Sequence, residues 1–299
     1  QVSDLVQIND DGLAFVNYPR RYSEDGFASH LIGYINAADN KGESGIELQF
    51  ERILKGYKPR YRLEAMVDGR GNLIRGSKYT LAESEEKYGS VYLTIDNQIQ
   101  QIVENIANES LSKGAIIVSR PNTGEVLALL SRPIFIGDRL REYLNKPDSP
   151  FTNRAFSSYT PGSVFKILIT AAALEENLFQ PEDVFFCPGY YELGEQKIRC
   201  HSHNEGGHGI ITFFDGMVQS CNPVFIETGR KLGMAKLKEY SEKFGLGRVS
   251  ELNFPEEKLG NIPKEKYYSI GDLANLSIGQ GGLTTTPVQV LSLLNVIIN

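Results

Sequence analysis

Gly114-Ala115-Ile116-Ile117-Val118-Ser119, Pro121-Asn122-Thr123-Gly124 and Glu125-Val126-Leu127-Ala128-Leu129-Leu130 follow one another almost without interruption. The outer runs are apolar and of strand length, and the Asn, Thr and Gly between them favour a turn, so the stretch predicts an antiparallel hairpin. Downstream the period changes: apolar residues recur at helical spacing over 163–177, 212–232 and 235–244. Strands first and helices later predict an α+β fold rather than a doubly wound one. Just upstream, Val91-Tyr92-Leu93-Thr94-Ile95 predicts a strand. Asp96 then predicts the N-cap of a helix carrying Ile99, Ile102, Val103 and Ile106 on one side.

With 299 residues, 41% of them apolar, the chain can bury one large core and leave material for a smaller companion domain. Residues 1–88 are polar and irregular, with turn signals at Asp11-Gly12, Pro19, Lys41-Gly42 and Gly69 and a strand-like stretch from Leu13 to Val16. The change of character at Ser90 places a boundary that divides the chain into 1–88 and 89–299. Against 37 acidic residues stand 31 basic ones, a formal charge of -6, with no lysine-arginine block. Nucleic acid is therefore excluded as a partner. No apolar run is long enough to span a membrane, and no signal-peptide pattern occurs. The chain opens at Gln1 and stops at Asn299 inside the helical pattern Val288, Val290, Leu291, Leu294, Ile297, so both ends are expected to be cut and an anchor to have been lost.

Tyr159-Thr160-Pro161-Gly162-Ser163-Val164-Phe165-Lys166 leads into the apolar helical pattern Ile167, Leu168, Ala171, Ala172, Leu174 and Leu178. Ser163 is expected in the first helical turn, with Lys166 three residues on and on the same face. A lysine whose charge is disfavoured by burial becomes a base near neutral pH, and a serine hydroxyl beside it is an activated nucleophile. Ser-x-x-Lys alone is common on solvated helices. Here the lysine opens a strongly apolar helix, and Ser220-Cys221-Asn222 supplies a second short polar motif between helical patterns.

These two motifs resemble the penicillin-binding proteins and serine β-lactamases, whose signature joins Ser-x-x-Lys, Ser-x-Asn and Lys-Thr-Gly. Leu93-Thr94-Ile95-Asp96, Gly114 to Pro133, Asn153-Arg154-Ala155 and Ser277-Ile278-Gly279-Gln280-Gly281 resemble class B transpeptidases in particular, of elongation or sporulation type. Arg20-Arg21-Tyr22, Ala28 to Tyr34 and Gly45-Ile46-Glu47 resemble that family's non-catalytic pedestal. The resemblance implies an α+β penicillin-binding fold, an antiparallel sheet with helices, on a smaller pedestal over 1–88. It makes Ser163 the acylated nucleophile and Lys166 its proton acceptor. Ser220 passes protons to the leaving amine, Asn222 holds the substrate amide and the lysine, and the Ser163 N–H forms half of an oxyanion hole.

As partners the resemblance implies peptidoglycan stem peptides, β-lactam antibiotics and a membrane glycosyltransferase. The location it implies is the extracytoplasmic face of the bacterial membrane, held by an N-terminal anchor. The third signature element, Lys-Thr-Gly, does not occur, and Lys231-Leu232-Gly233 lies within a helical pattern. The chain is therefore expected to be truncated at its C-terminus before that strand, and to be a poor catalyst as it stands. The alternative is a protein without the strand that senses penicillin or binds peptidoglycan without turnover. A β-lactamase needs a water-activating base and lacks a pedestal, and no Gly-x-Ser-x-Gly elbow supports a Ser-His-Asp hydrolase.

All three cysteines, Cys187, Cys200 and Cys221, fall in one short stretch with His201, His203 and His208. Thiolates and imidazole are the ligands zinc prefers, and four of them make a closed structural site. The expected ligands are Cys187, Cys200, His208 and Cys221, with His203 in reserve; some elongation-type class B relatives carry zinc at such a place. A Cys187 to Cys200 disulfide and buried thiols acting as small apolar residues are the competing readings.

Overall fold

The computed structural model describes residues 20–36, 38–55, 61–64, 66–72, 74, 80–83, 89–264 and 269–299. The Leu13 to Val16 stretch and the turn signals at Asp11-Gly12 and Pro19 lie outside these residues. Among the described residues three short helices, α1 (Ser29–Ile32), α2 (Gly45–Gln49) and α3 (Glu51–Leu54), precede an antiparallel pair, β1 (Tyr61–Glu64) and β2 (Thr80–Glu83). Helix α4 (Asn97–Ser110) leads into the hairpin β3 (Gly114–Ser119) and β4 (Val126–Arg132). Then come α5 (Lys166–Glu175), β5 (Val184–Cys187), β6 (Tyr190–Leu193), β7 (Gln196–Arg199) and β8 (Gly209–Thr212). The chain closes with α6 (Phe213–Val218), α7 (Asn222–Lys243), α8 (Ile270–Leu276) and α9 (Pro287–Ile298). Among the described residues, β5 pairs with β8 and β6 with β7, both antiparallel. The mixture is the α+β arrangement expected of a penicillin-binding fold.

The β3–β4 hairpin forms as the sequence predicts. Its register runs from Gly114 opposite Arg132 to Val118 opposite Ala128, then slips by one residue so that Ser119 faces Val126. Gly124, at φ +74°, closes the turn by donating its N–H to Arg120 O at 2.8 Å. Strand alternation sends Ala128 and Leu130 towards Val103 and Ala107 of α4. Leu129 points the other way, to Ala28, Leu31, Ala155 and Phe156. Segment 20–49 therefore packs directly on the hairpin, and Gly45 N–H donates to Glu256 Oε1 at 2.6 Å while Asn153 Nδ2 donates to His30 O at 3.2 Å.

Two expectations about the approach to this hairpin are corrected. Val91 to Ile95 forms no strand; its end is tied to β4 by Thr94 Oγ1 donating to Val126 O and Asp96 N–H to Leu127 O. Asp96 does cap α4, accepting from the Gln98 and Ile99 amides. The buried face of α4, however, is Gln100, Val103, Glu104 and Ala107, whereas Ile102 and Ile106 are 57% and 54% exposed. Polar residues win this face because β4 offers them partners. Gln100 exchanges two hydrogen bonds with the Leu129 backbone, and Glu104 accepts from Ala28 N–H and from Arg132. A buried amide or charge so satisfied is tolerated where an orphaned one is not.

The helical patterns downstream are also divided differently from the prediction. The 212–232 pattern is interrupted at 219–221, which separates α6 from α7, and α7 is itself broken at Gly233, with φ +74°. The 163–177 pattern begins as a 3-10 turn over Gly162–Phe165, and regular helix starts at Lys166. Around α5 and α7 lies the largest core, centred on Phe165, Leu168, Ile169, Phe225, Ile226 and Leu283. Helix α8 approaches α7 so closely that a Cβ on Gly229 would stand 1.9 Å from Ser277 Oγ.

Candidate active site

The apolar core of α5 explains the setting of Lys166. Its neighbours Leu168, Ile169 and Ala172 are fully buried, and the lysine, at the first position of the helix, is itself 1% exposed. A buried ammonium must find acceptors, and three are supplied by one turn. Lys166 Nζ donates to Ser220 O at 2.7 Å, Ser220 Oγ at 3.1 Å and Asn222 Oδ1 at 2.7 Å, with the Phe225 ring 5.4 Å away. Burial nevertheless dominates and draws the lysine pKa down to about 8.

The turn that presents these acceptors is strained. Ser220 has φ +51°, a left-handed conformation that costs a non-glycine residue about 1 kcal/mol. The turn is held by Ser220 N–H donating to Met217 O and Cys221 N–H to Gly216 O, and Pro223 at the start of α7 suits a helix that follows immediately. The strain points the Ser220 carbonyl and hydroxyl at one nitrogen. Asn222 Nδ2 donates to Arg199 O at 2.8 Å, which ties the end of β7 to the same centre.

Ser163 is exposed on the 3-10 turn one residue before Val164 and three before Lys166. Ser220 and Asn222 are thus each bonded directly to Lys166, whereas among the described residues no hydrogen bond joins Ser163 Oγ to Lys166 Nζ. The turn that carries Ser163 leans on Ser277-Ile278-Gly279-Gln280-Gly281: Gly162 N–H donates to Gly279 O at 2.9 Å, and Tyr159 pairs with Thr285. Gly279 has φ +69°, and a Cβ there would stand 1.9 Å from Gly162 O. Gly279→Ala is expected to displace the nucleophile's turn and slow acylation by a penicillin about 10²-fold, the order associated with an ångström of misplacement. Stopped intact-mass kinetics, with thermal unfolding as a fold control, checks this; an unchanged acylation rate would show that the turn is set elsewhere.

Beside this centre the four expected metal ligands converge. The ligand atoms of Cys187, Cys200, His208 and Cys221 all lie within 4.8 Å of one another. No sulfur is bonded to another, so the structure does not contain the Cys187 to Cys200 disulfide. Cys200 Sγ lies 3.7 Å from His208 Nδ1, near the ligand–ligand spacing of a tetrahedral zinc site. Burial pushes the Cys221 thiol up. For Cys200 burial acts in the same sense but is outweighed by hydrogen bonds from the Ser202 hydroxyl and the Asn222 and Ser202 amides, and its thiol lies below the usual value. Three buried cysteines and an imidazole, with amides directed at one sulfur, fit a soft divalent cation. His203, the reserve, is turned away: its Nδ1 is buried without a partner and its ring meets Tyr190 at 5.9 Å. His201, part of the cluster in the sequence but not among the expected ligands, also stands close, its Nδ1 3.9 Å from Cys200 Sγ.

The family model described as the penicillin binding protein transpeptidase domain matches residues 114–299. Peptidoglycan D,D-transpeptidase MrdA of Escherichia coli K12 is 30% identical over 328 residues, an alignment covering 96% of this chain and 51% of that protein. Stage V sporulation protein D of Bacillus subtilis 168 is 32% identical over 290 residues, covering 94% and 43%. The chain thus spans about half the length of the curated relatives it matches. Among solved structures, a chain from the work titled "Structural coordination of polymerization and crosslinking by a peptidoglycan synthase complex" superposes with TM-score 0.74 at 28% identity, covering 90% of this chain and 53% of that one. Family model, relatives and the lysine centre agree: this chain belongs to the penicillin-binding protein transpeptidase family, among class B members of elongation and sporulation type.

Proposed function

We propose that the chain is the catalytic part of a peptidoglycan D,D-transpeptidase that works through an acyl-enzyme on Ser163 and is acylated there by β-lactams. The observation that carries this is the buried Lys166 held by Ser220 and Asn222, with an exposed serine on the adjoining turn. In its neutral form Lys166 takes the Ser163 proton as Oγ attacks the carbonyl of a D-Ala-D-Ala stem. The Ser163 N–H receives part of the oxyanion charge. Collapse breaks the amide bond, and a proton relayed from Lys166 through Ser220 leaves with the D-alanine amine. An amine of a neighbouring strand then attacks the ester, gives its proton back through the same pair and frees Ser163.

Zinc on Cys187, Cys200, His208 and Cys221 is part of this proposal. With four protein ligands it would supply no reacting group, only a cross-link between β5, the 200–208 loop and the 220–222 turn. The extracytoplasmic face of a bacterial membrane is the proposed location, with an N-terminal anchor. Among the described residues no helix is long and apolar enough to cross a membrane. A membrane glycosyltransferase is the proposed partner, supported by the likeness to a chain of a synthase complex in which polymerization and crosslinking are coordinated.

A labelled penicillin is expected to add one covalent equivalent to the peptide containing Ser163, and none to Ser163→Ala. Intact mass followed by peptide mapping reads the result. Labelling that persists in the alanine variant would remove Ser163 from the mechanism.

A further inference from the structure

The hairpin of β6 and β7 carries charge up to the edge of the catalytic centre. Its register sets Tyr190 opposite Arg199 and Glu192 opposite Lys197. Tyr191, Leu193 and Ile198 pack on the core, so strand alternation puts Tyr190, Glu192, Lys197 and Arg199 on the outward face. Lys197 is satisfied within the hairpin: its Nζ pairs with Glu192 at 3.0 Å and lies 4.2 Å from the centre of the Tyr190 ring. Arg199 is exposed, and among the described residues its guanidinium has neither a carboxylate nor an aromatic partner.

Its backbone, by contrast, is held on both sides. Arg199 O accepts from Asn222 Nδ2 at 2.8 Å, and the next residue, Cys200, is buried and donates its N–H to Gly189 O at 2.8 Å. Asn222 is the residue whose Oδ1 holds Lys166 Nζ. A planar guanidinium on a fixed backbone, with its donors unspent, is suited to bidentate recognition of a carboxylate.

Resting on the transpeptidase reading above, we propose that Arg199 is a specificity determinant that binds a carboxylate of the donor stem peptide upstream of the scissile D-Ala-D-Ala bond. Arg199 O lies two hydrogen bonds from Lys166 Nζ, through the Asn222 amide, and an extended peptide advances about 3.5 Å per residue, so the proposal places a donor residue two or three before the scissile bond alongside the hairpin. Arg199 touches no reacting atom in this role. It discriminates donors by one charged group and leaves the chemistry to Ser163 and Lys166.

The test compares two synthetic D-Ala-D-Ala donors that differ only in one upstream group, a free carboxylate or its primary amide. They are assayed on the protein as its gene encodes it, in wild type, Arg199→Ala and Arg199→Lys. The readout is the ratio of kcat/KM for the two donors. In the wild type the carboxylate donor is expected to lead by about 10- to 100-fold, the range of a charge-assisted hydrogen bond. Arg199→Ala is expected to bring the ratio close to one, and Arg199→Lys to recover part of it. A ratio unchanged in Arg199→Ala overturns the proposal, including the case in which both donors slow together because the hairpin has shifted. A wild-type protein that forms no penicillin adduct at Ser163 overturns the transpeptidase reading, and this proposal with it.

Discussion

Lys166→Arg is expected to slow penicillin acylation of Ser163 by about 10²- to 10⁴-fold, the usual worth of a positioned general base. Arginine keeps the positive charge but cannot be deprotonated, so the variant separates charge from proton acceptance. Because the site is closed and arginine is larger, Lys166→Met serves as a second variant of more similar shape, with thermal unfolding of both as controls. Acylation retained within about threefold in both would remove the lysine as the base. In the wild type the rate should follow the neutral amine. With burial lowering the lysine pKa to about 8, about a tenth is neutral at pH 7, so the rate should climb with pH and level off above about 8.

The sign of the accompanying stability effect is fixed by the same depression. Between about 8 and the ordinary 10.5 the unfolded chain holds the proton and the folded chain does not, so stability rises with pH across that window. Below about 8 the folded state carries a buried ammonium, which its three acceptors only partly offset.

Removing the proposed zinc is expected to have the second large effect. Cys221 lies between Ser220 and Asn222, and Cys200 follows Arg199, whose carbonyl anchors the Asn222 amide. A cation on these sulfurs would therefore restrain both residues that position Lys166. At a hundredfold excess over Kd, binding stabilises by about 2.7 kcal/mol, so a chelator should lower Tm by roughly 4 °C for a chain of this length. It should also slow penicillin acylation, and added zinc should restore both. Mildly acidic pH should act like the chelator, since the ligands must be deprotonated. Metal analysis with thiol titration in denaturant decides the matter. About one zinc and three thiols per chain is the expected outcome; absence of zinc with one titratable thiol would establish a disulfide instead.

Much of this protein was legible in one dimension because the information is local. A hairpin needs two apolar runs and a turn, and 114–130 contains both. An N-cap needs one carboxylate, and Asp96 provides it. Residue type and spacing, together with resemblance to a family, single out Ser163, Lys166, Ser220, Asn222 and the four proposed metal ligands. The face of α4 was misjudged because hydrophobic period assumes an apolar partner. What β4 presents there is backbone and Arg132, and only the fold shows that Gln100 and Glu104 have somewhere to bond.

The break at 219–221 was hidden for a related reason. No glycine marks Ser220, whose left-handed backbone is imposed by the packing of α6 and α7 and by the lysine it faces. Arg199 left no signal at all, since an arginine at the end of a strand is ordinary until its carbonyl is found on the Asn222 amide. Sequence by itself determined which groups are chemically able to act. Tertiary structure decided which of them meet, because burial and hydrogen-bond partners arise between segments far apart in the chain.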